Sequence, residues 1–161
     1  MHVDDIVTQI QHPHVVITGG EPTIWNLDEL MYGIRVHTND SCFIQVESSG
    51  QKKFKGNLFA DWVTWSPKKN LDFDAPDDFL LFVDEVKFVV DADFSFADVD
   101  GVLERVRNYL AKDIKTICFM AEGCPPSVES LQKALEFAKE YNGVAGRVMV
   151  GDRLQYRIGV R

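Results

Sequence analysis

The sequence has little cysteine and no apolar run long enough to cross a membrane. Its three cysteines are Cys42, Cys118 and Cys124. Their spacing matches neither a disulfide framework nor a familiar metal motif. We therefore expect buried apolar thiols and no metal site in this chain. Because there is also no cationic leader, the sequence predicts a cytoplasmic protein without a membrane partner.

Positive charge is scarce as well. Lys and Arg number 17 against 25 Asp and Glu, which gives a formal net charge of -8. This balance argues against nucleic acid as a partner and favours a small molecule, because a phosphate backbone requires clustered positive potential. The chain also has no glycine-rich phosphate loop with lysine and no G-x-S-x-G elbow, which argues against an unrelated nucleotide-binding or hydrolase domain.

What is present is an alternation of helices and short apolar strands in a chain of 161 residues, which predicts a single domain over 1–161. An acidic insertion without regular structure is expected near 68–83, and the tryptophans Trp25, Trp62 and Trp65 are expected in the core. Helices are predicted at 3–11, from 27, from about 97 and at 128–143. Five strands are predicted at 14–18, 42–47, within 61–68, at 84–90 and at 114–120, and the last residues are predicted as part strand and part irregular.

This alternation predicts an α/β fold with a mostly parallel sheet, either a partial (β/α) barrel or an open sheet. In both architectures a ligand lies at the carboxyl ends of the strands. Unusual residues do follow the predicted strands. They are TGGEP at 18–22, ESSG at 47–50, SPK at 66–68 and AEG at 121–123. Each alone is explained by an ordinary turn, but four on one side of a sheet suggest a binding site.

The chemistry of these segments favours a ligand with both an amino and a carboxylate group. Gly19 and Gly20 allow positive φ and close approach of a ligand to the main chain. Glu21 and nearby carbonyls are acceptors, which suit an ammonium group better than a phosphate. Ser66 and Lys68 supply a hydroxyl and a cation, which suit a ribose hydroxyl or a carboxylate.

TGGEP after a strand resembles the GGEP motif of radical S-adenosylmethionine enzymes. Within that superfamily, the ordered segments HVVITGGEP, VESSG, DWVTWSPK, EVKFVV and LQYRIGVR resemble the 7-carboxy-7-deazaguanine synthase family. The resemblance covers nearly the whole chain and implies a partial (β/α) barrel that lacks its first strand.

The resemblance also implies roles for individual residues. The residues that would bind S-adenosylmethionine are Gly19, Gly20, Glu21, Ser49, Ser66, Pro67, Lys68, Phe119, Met120, Ala121 and Glu122. The residues that would contact the substrate are Thr18, Glu47, Gln155 and Arg161, the last through the C-terminal carboxylate. None of these residues is assigned a catalytic role.

The implied activity is the radical ring contraction of 6-carboxy-5,6,7,8-tetrahydropterin in queuosine and deazapurine biosynthesis. The family uses S-adenosylmethionine, a four-iron four-sulfur cluster and Mg. Its C-x3-C-x2-C cluster loop would precede Val3 and does not occur in this chain. We therefore expect an N-terminally truncated protein that is inactive alone. It would form a homodimer or associate with a chain that supplies the missing part. A non-catalytic scaffold or regulatory module that keeps the fold is the alternative.

Overall fold

A computed structural model describes residues 2–55, 59–109, 113–123 and 125–151 of the chain. The chain divides into two compact units, Met1–Val83 and Asp84–Arg161. Each unit is an α/β structure in which the strands are parallel and follow one another in chain order.

The first unit has a three-stranded parallel sheet. The second of these strands along the chain lies between the other two. In the register, His14 lies beside Phe43 and Gln45 lies beside Trp62. Two single 3₁₀ turns, at Pro22–Ile24 and Lys69–Leu71, follow the first and third strands. The strands are β1 (His14–Ile17), β2 (Phe43–Ser48) and β3 (Trp62–Trp65). The helices are α1 (Val3–Val7), α2 (Asp28–Thr38) and α3 (Asp77–Leu80).

One face of this sheet packs on α1 and α2. Alternate residues of β2 point to this face, so Ile44 and Val46 are fully buried beneath Met31 and Ile34 of α2. Helix α1 approaches α2 at Gly33, where an added Cβ would lie 2.9 Å from Val3 Cγ1. The opposite face of β2 carries Phe43, Gln45 and Glu47.

The second unit is built from strands and helices that alternate along the chain. Strand β5 lies between β4 and β6, and both pairings are parallel. The core contains an aromatic stack in which Phe119 lies between Phe88 and Phe137, with ring centroids 5.5 and 5.4 Å away. The elements are β4 (Glu85–Val90), α4 (Phe96–Tyr109), β5 (Thr116–Ala121), α5 (Val128–Glu140) and β6 (Arg147–Gly151).

Helix α5 is fixed at both ends by side-chain hydrogen bonds. The Ser127 hydroxyl accepts from the Ser130 N–H at 3.0 Å and so caps the N-terminus of the helix. At the other end, the Tyr141 hydroxyl donates to Asp100 of α4 at 2.8 Å. Burial, together with this carboxylate, raises the pKa of Tyr141 well above its ordinary value.

The predicted α/β class with parallel strands is confirmed, and two expectations about individual elements are wrong. The 68–83 segment is not an unstructured insertion, because it contains α3, whose Phe79 and Leu80 are completely buried. The C-terminal region, which was predicted as part strand, contributes β6. The first helix ends at Val7 rather than at residue 11. Within the described residues, none of the helices combines the length and the apolar character that spanning a bilayer requires.

Candidate functional site

The loop after β1 needs its two glycines for backbone conformation. Gly19 has φ +90° and Gly20 has φ +56°, and an added Cβ would meet nothing within 4 Å at either position. The requirement is therefore positive φ rather than lack of space. Both residues are exposed, and within the described part of the chain no hydrogen bond ends on their carbonyl groups. The loop consequently offers main-chain acceptors to a ligand.

Glu21 ties this loop to the end of β2. Its Oε1 accepts from the Thr23 N–H at 3.1 Å, from the Thr23 hydroxyl at 2.6 Å and from the Ser48 hydroxyl at 2.6 Å. Its Oε2 accepts from the Ser49 N–H at 2.9 Å and from the Ser49 hydroxyl. A carboxylate has about four lone-pair positions, so these five donors saturate it. Glu21 thus positions the glycine loop, and the acceptors left for a ligand are the loop carbonyls.

The charge of Glu21 is maintained by these donors. Burial by itself would raise the pKa of the carboxyl group, but the hydrogen bonds from Ser48, Ser49 and Thr23 outweigh it and lower the pKa below its ordinary value of 4.5. The carboxylate is therefore ionised at neutral pH, and the ionised form stabilises the fold.

This lowered pKa predicts a loss of stability in acid. Since folding lowers the pKa, the contribution of Glu21 is fully present above pH 4.5 and disappears as the pH falls through the folded-state pKa. We expect the difference in urea midpoint between the wild type and Glu21→Gln to be large at pH 6 and to shrink below pH 4.5. A difference that stays constant from pH 6 to pH 3 would contradict this interpretation.

The loop after β3 joins the same end of the sheet. The Ser66 N–H donates to the Ser48 carbonyl at 2.8 Å, and the Trp65 indole N–H donates to the Ser49 carbonyl at 3.0 Å. Lys68 Nζ donates to the Ser66 hydroxyl at 3.1 Å. Ser66 and the preceding Trp65 are buried, which fixes the position of the hydroxyl. Three loops from separate parts of the sequence thus meet at the carboxyl end of the first unit's sheet.

The predicted substrate residues of the first unit lie next to this junction. Glu47 is half-buried on the polar face of β2, and Thr18 follows β1 one residue beyond the pairing of Ile17 with Val46. Thr18 and Glu47 are therefore at the same level of the sheet. Their contact with a substrate stays a prediction.

Sequence reasoning missed a row of hydrogen-bonded polar side chains on the same face of the sheet, namely His14, Gln45 and Thr64. Thr64 is completely buried and lies beside Glu47 in the register. Its hydroxyl accepts from Gln45 Nε2 at 2.9 Å, and Gln45 Oε1 accepts from His14 Nε2 at 3.0 Å. Strict alternation along β2 places Gln45 and Glu47 on one face, and this pattern could have identified the row.

Sequence reasoning also missed the roles of Ser48 and Thr23, which hold Glu21. The available clue was Glu-Pro-Thr at the start of a helical turn, where an acidic side chain accepts from the N–H two residues later.

The segment Phe119 to Glu122 lies at the end of β5 in the second unit. The Phe119 ring belongs to the aromatic core, and Ala121 is also buried. Met120 is half-buried, Glu122 is exposed, and the Glu122 N–H donates to the Val90 carbonyl at 2.9 Å. The Phe119 side chain is therefore occupied by the core, and an adenine contact by this segment would use its main chain or Met120. Gln155 and Arg161 lie outside the described residues.

The described residues do not fit an iron–sulfur cluster. Cys42 and Cys118 are buried in the cores of different units, and no group of three or more His, Cys, Asp or Glu side chains in the described ranges could hold a metal. The carbonyls after β1, with the Ser66 hydroxyl and the Lys68 ammonium after β3, are the groups predicted to bind S-adenosylmethionine, and this binding stays a prediction.

Comparison with known proteins gives partial matches. No protein-family model matches the chain. The chain is 27% identical to the 7-carboxy-7-deazaguanine synthase of Haemophilus influenzae over 104 residues, which are 64% of this chain and 47% of that protein. It is 30% identical to the 7-carboxy-7-deazaguanine synthase of Buchnera aphidicola subsp. Schizaphis graminum over 95 residues, which are 59% of this chain and 41% of that protein. The match thus spans less than half the length of these curated relatives and supports a relationship to 7-carboxy-7-deazaguanine synthases.

Proposed function

We propose that this chain carries part of the S-adenosylmethionine site of a protein related to 7-carboxy-7-deazaguanine synthase. The corresponding reaction is the ring contraction of 6-carboxy-5,6,7,8-tetrahydropterin, and the pterin would contact Thr18 and Glu47. The partial similarity to two proteins of that name supports the relationship.

The observation that carries the proposal is the set of hydrogen bonds on Glu21. Ser48 and Ser49 donate to its carboxylate, so the loops after β1 and β2 are held together before any ligand binds. The carbonyls of Gly19 and Gly20 are thereby held in place as acceptors, which suit a ligand's ammonium group. The Ser66 hydroxyl and the Lys68 ammonium lie at the same end of the sheet. The hydroxyl suits a ribose hydroxyl of a ligand, and the ammonium suits a carboxylate.

The family's cluster requires ligands that the described residues do not offer, so we propose that a second chain or an additional segment supplies them. A non-catalytic module is the second candidate. The observation in its favour is that Cys42 and Cys118 are 2% and 4% exposed and serve as core residues. The genomic sequence immediately upstream of Met1 discriminates between these candidates, since an in-frame C-x3-C-x2-C segment there would favour the enzyme and its absence would favour the module.

Binding of S-adenosylmethionine tests the proposal directly. We expect saturation-transfer NMR to detect the ligand on the wild-type chain at millimolar concentration. Lys68→Gln should weaken this binding roughly ten-fold, because it removes a charge-assisted contact with the ligand. Lys69→Gln is the matched control, since it removes the neighbouring exposed lysine and should leave binding unchanged. No detectable binding by the wild type, or equal loss in both variants, would refute the proposed site.

A further inference from the structure

A groove lies between the C-terminal half of α2 and the segment that leads into β3. Its volume is about 520 Å³, which is within the size range of small-molecule sites. One of its lining residues, Arg35, donates to the Cys42 carbonyl at 2.8 Å and to the Asp61 carboxylate at 2.7 Å. Cys42 and Asp61 come directly before β2 and β3, so the groove lies at the amino end of the first unit's sheet. The lining residues are Tyr32, Arg35, Val36, Asn39, Asp40 and Phe59.

The walls of the groove are apolar and open to solvent. Tyr32 and Val36, one turn apart on α2, are 68% and 58% exposed, and Phe59 is 49% exposed. Large apolar side chains that are gathered at one exposed place commonly mark a binding site. Aromatic rings also attract cations, because the faces of the rings carry partial negative charge. The walls therefore suit a ligand with an aromatic body, and the rings add a preference for positive charge.

The charged side chains of the groove leave it negative. The Arg35 guanidinium is neutralised by the Asp61 carboxylate. It also donates to two main-chain carbonyls, those of Cys42 and Phe59. The Asp40 side chain is 82% exposed, and its Oδ1 lies 4.0 Å from Arg35 Nε, which is beyond hydrogen-bond distance. One positive and two negative groups thus meet here, so an anion would be repelled and a cation would pair with Asp40.

We propose that this groove binds a small organic cation, with an aromatic body against Tyr32 and Phe59 and an ammonium group at the Asp40 carboxylate. The net charge of -8 supports this choice, because it raises the concentration of cations near the chain. Binding here does not depend on the proposed function, since the loops after β1, β2 and β3 lie at the opposite end of the sheet.

Three indole compounds of similar size and different charge test the proposal at neutral pH. They are tryptamine, which is a cation, tryptophol, which is neutral, and indole-3-propionate, which is an anion. In a ¹H–¹⁵N titration of the wild type, we expect tryptamine to bind with a dissociation constant of about 1 mM, as is usual for a ligand of this size. Tryptophol should bind roughly three-fold more weakly, because it keeps the ring contact and loses the ion pair. Indole-3-propionate should bind more weakly still, and the amide shifts should concentrate at Asn39, Asp40 and Phe59.

Asp40→Asn removes the charge and preserves the fold. Asp40 has φ +58°, and asparagine tolerates this left-handed conformation, so the variant should fold normally. It should weaken tryptamine binding roughly three-fold and abolish the preference for tryptamine over tryptophol. Glu29→Gln is the matched control, since it removes an exposed carboxylate from the other end of the same helix and should leave binding unchanged.

Tyr32→Ala tests the ring contact. Because Tyr32 is an exposed residue of α2 and alanine favours a helix, the variant should fold and should bind tryptamine and tryptophol more weakly. Tyr32→Phe keeps the ring and should retain the binding of both compounds. The proposal is overturned if the wild type binds none of the three compounds, or if it binds the anion as tightly as the amine. It is also overturned if Asp40→Asn keeps the preference for the amine, if Glu29→Gln removes it, or if Tyr32→Ala binds as the wild type does.

Discussion

Replacement of Gly50 by alanine should lower the free energy of unfolding by about 2 to 4 kcal/mol, the sum of positive-φ strain and overpacking. Gly50 has φ +77°, and an added Cβ would lie 2.7 Å from Trp65 Nε1 and 3.0 Å from the Ala75 Cβ. Trp65 is completely buried and its indole N–H donates to the Ser49 carbonyl, so it cannot move without losing that bond. Urea unfolding of the variant measures the loss.

Gly101 provides the matched control for this substitution. It lies in α4, and a Cβ added there would meet nothing within 4 Å. Alanine favours a helix over glycine, so Gly101→Ala should stabilise the chain by about 0.5 to 1 kcal/mol. The two Gly→Ala changes are thus expected to have opposite signs. An ordinary surface substitution changes the free energy of unfolding by about 0.5 kcal/mol or less. A change of that size in Gly50→Ala would contradict the described packing of the loop after β2.

Glu21→Ala should destabilise the chain by about 2 to 3 kcal/mol, an estimate reduced for the partial exposure of the carboxylate. The substitution removes the common acceptor of five hydrogen bonds, including those from the main-chain N–H groups of Thr23 and Ser49. It should also disconnect the glycine loop from the end of β2. Thermal and urea unfolding at pH 7 provide the measurement.

Glu29→Ala is the control for the loss of a negative charge. Glu29 is an exposed residue in the first turn of α2, where an acid contributes only about 0.3 to 1 kcal/mol through the helix dipole. If the two variants lost equal stability, Glu21 would be an ordinary surface carboxylate. The hydrogen bonds that join the loops would then be absent in solution.

The sequence was sufficient to predict the strands because each one is a short apolar run that ends at a turn residue. Strands β1 to β5 lie within two residues of their predicted bounds or inside the predicted segment. The bounds of β6 were harder to predict, since only its three central residues, 148–150, are apolar. Helix α3 was missed because four residues are too few to show helical periodicity, and the burial of Phe79 and Leu80 is a tertiary effect.

Side-chain environments were predicted less well than the fold. All three tryptophans were expected in the core, but Trp25 is 67% exposed while Trp65 is fully buried. The difference arises because Trp65 ends a strand whose last three residues are buried, whereas Trp25 follows a 3₁₀ turn. The glycine motif indicated a loop that the structure joins to the end of β2, and ligand binding there stays a prediction. The hydrogen bonds from Ser48 and Ser49 to the Glu21 carboxylate depend on which strands are neighbours. The sequence alone does not give the distance between side chains of separate strands.

The most direct measurement is a ¹H–¹⁵N correlation spectrum of the assigned chain during titration with S-adenosylmethionine. If the loops after β1, β2 and β3 hold this ligand, the amide shifts should concentrate at Gly19, Gly20, Ser49 and Ser66. Amides on the far side of α2 should not move, and Glu21→Gln should abolish the shifts. Shifts scattered over the surface, or centred on the outer face of α2, would contradict a ligand site at this end of the sheet.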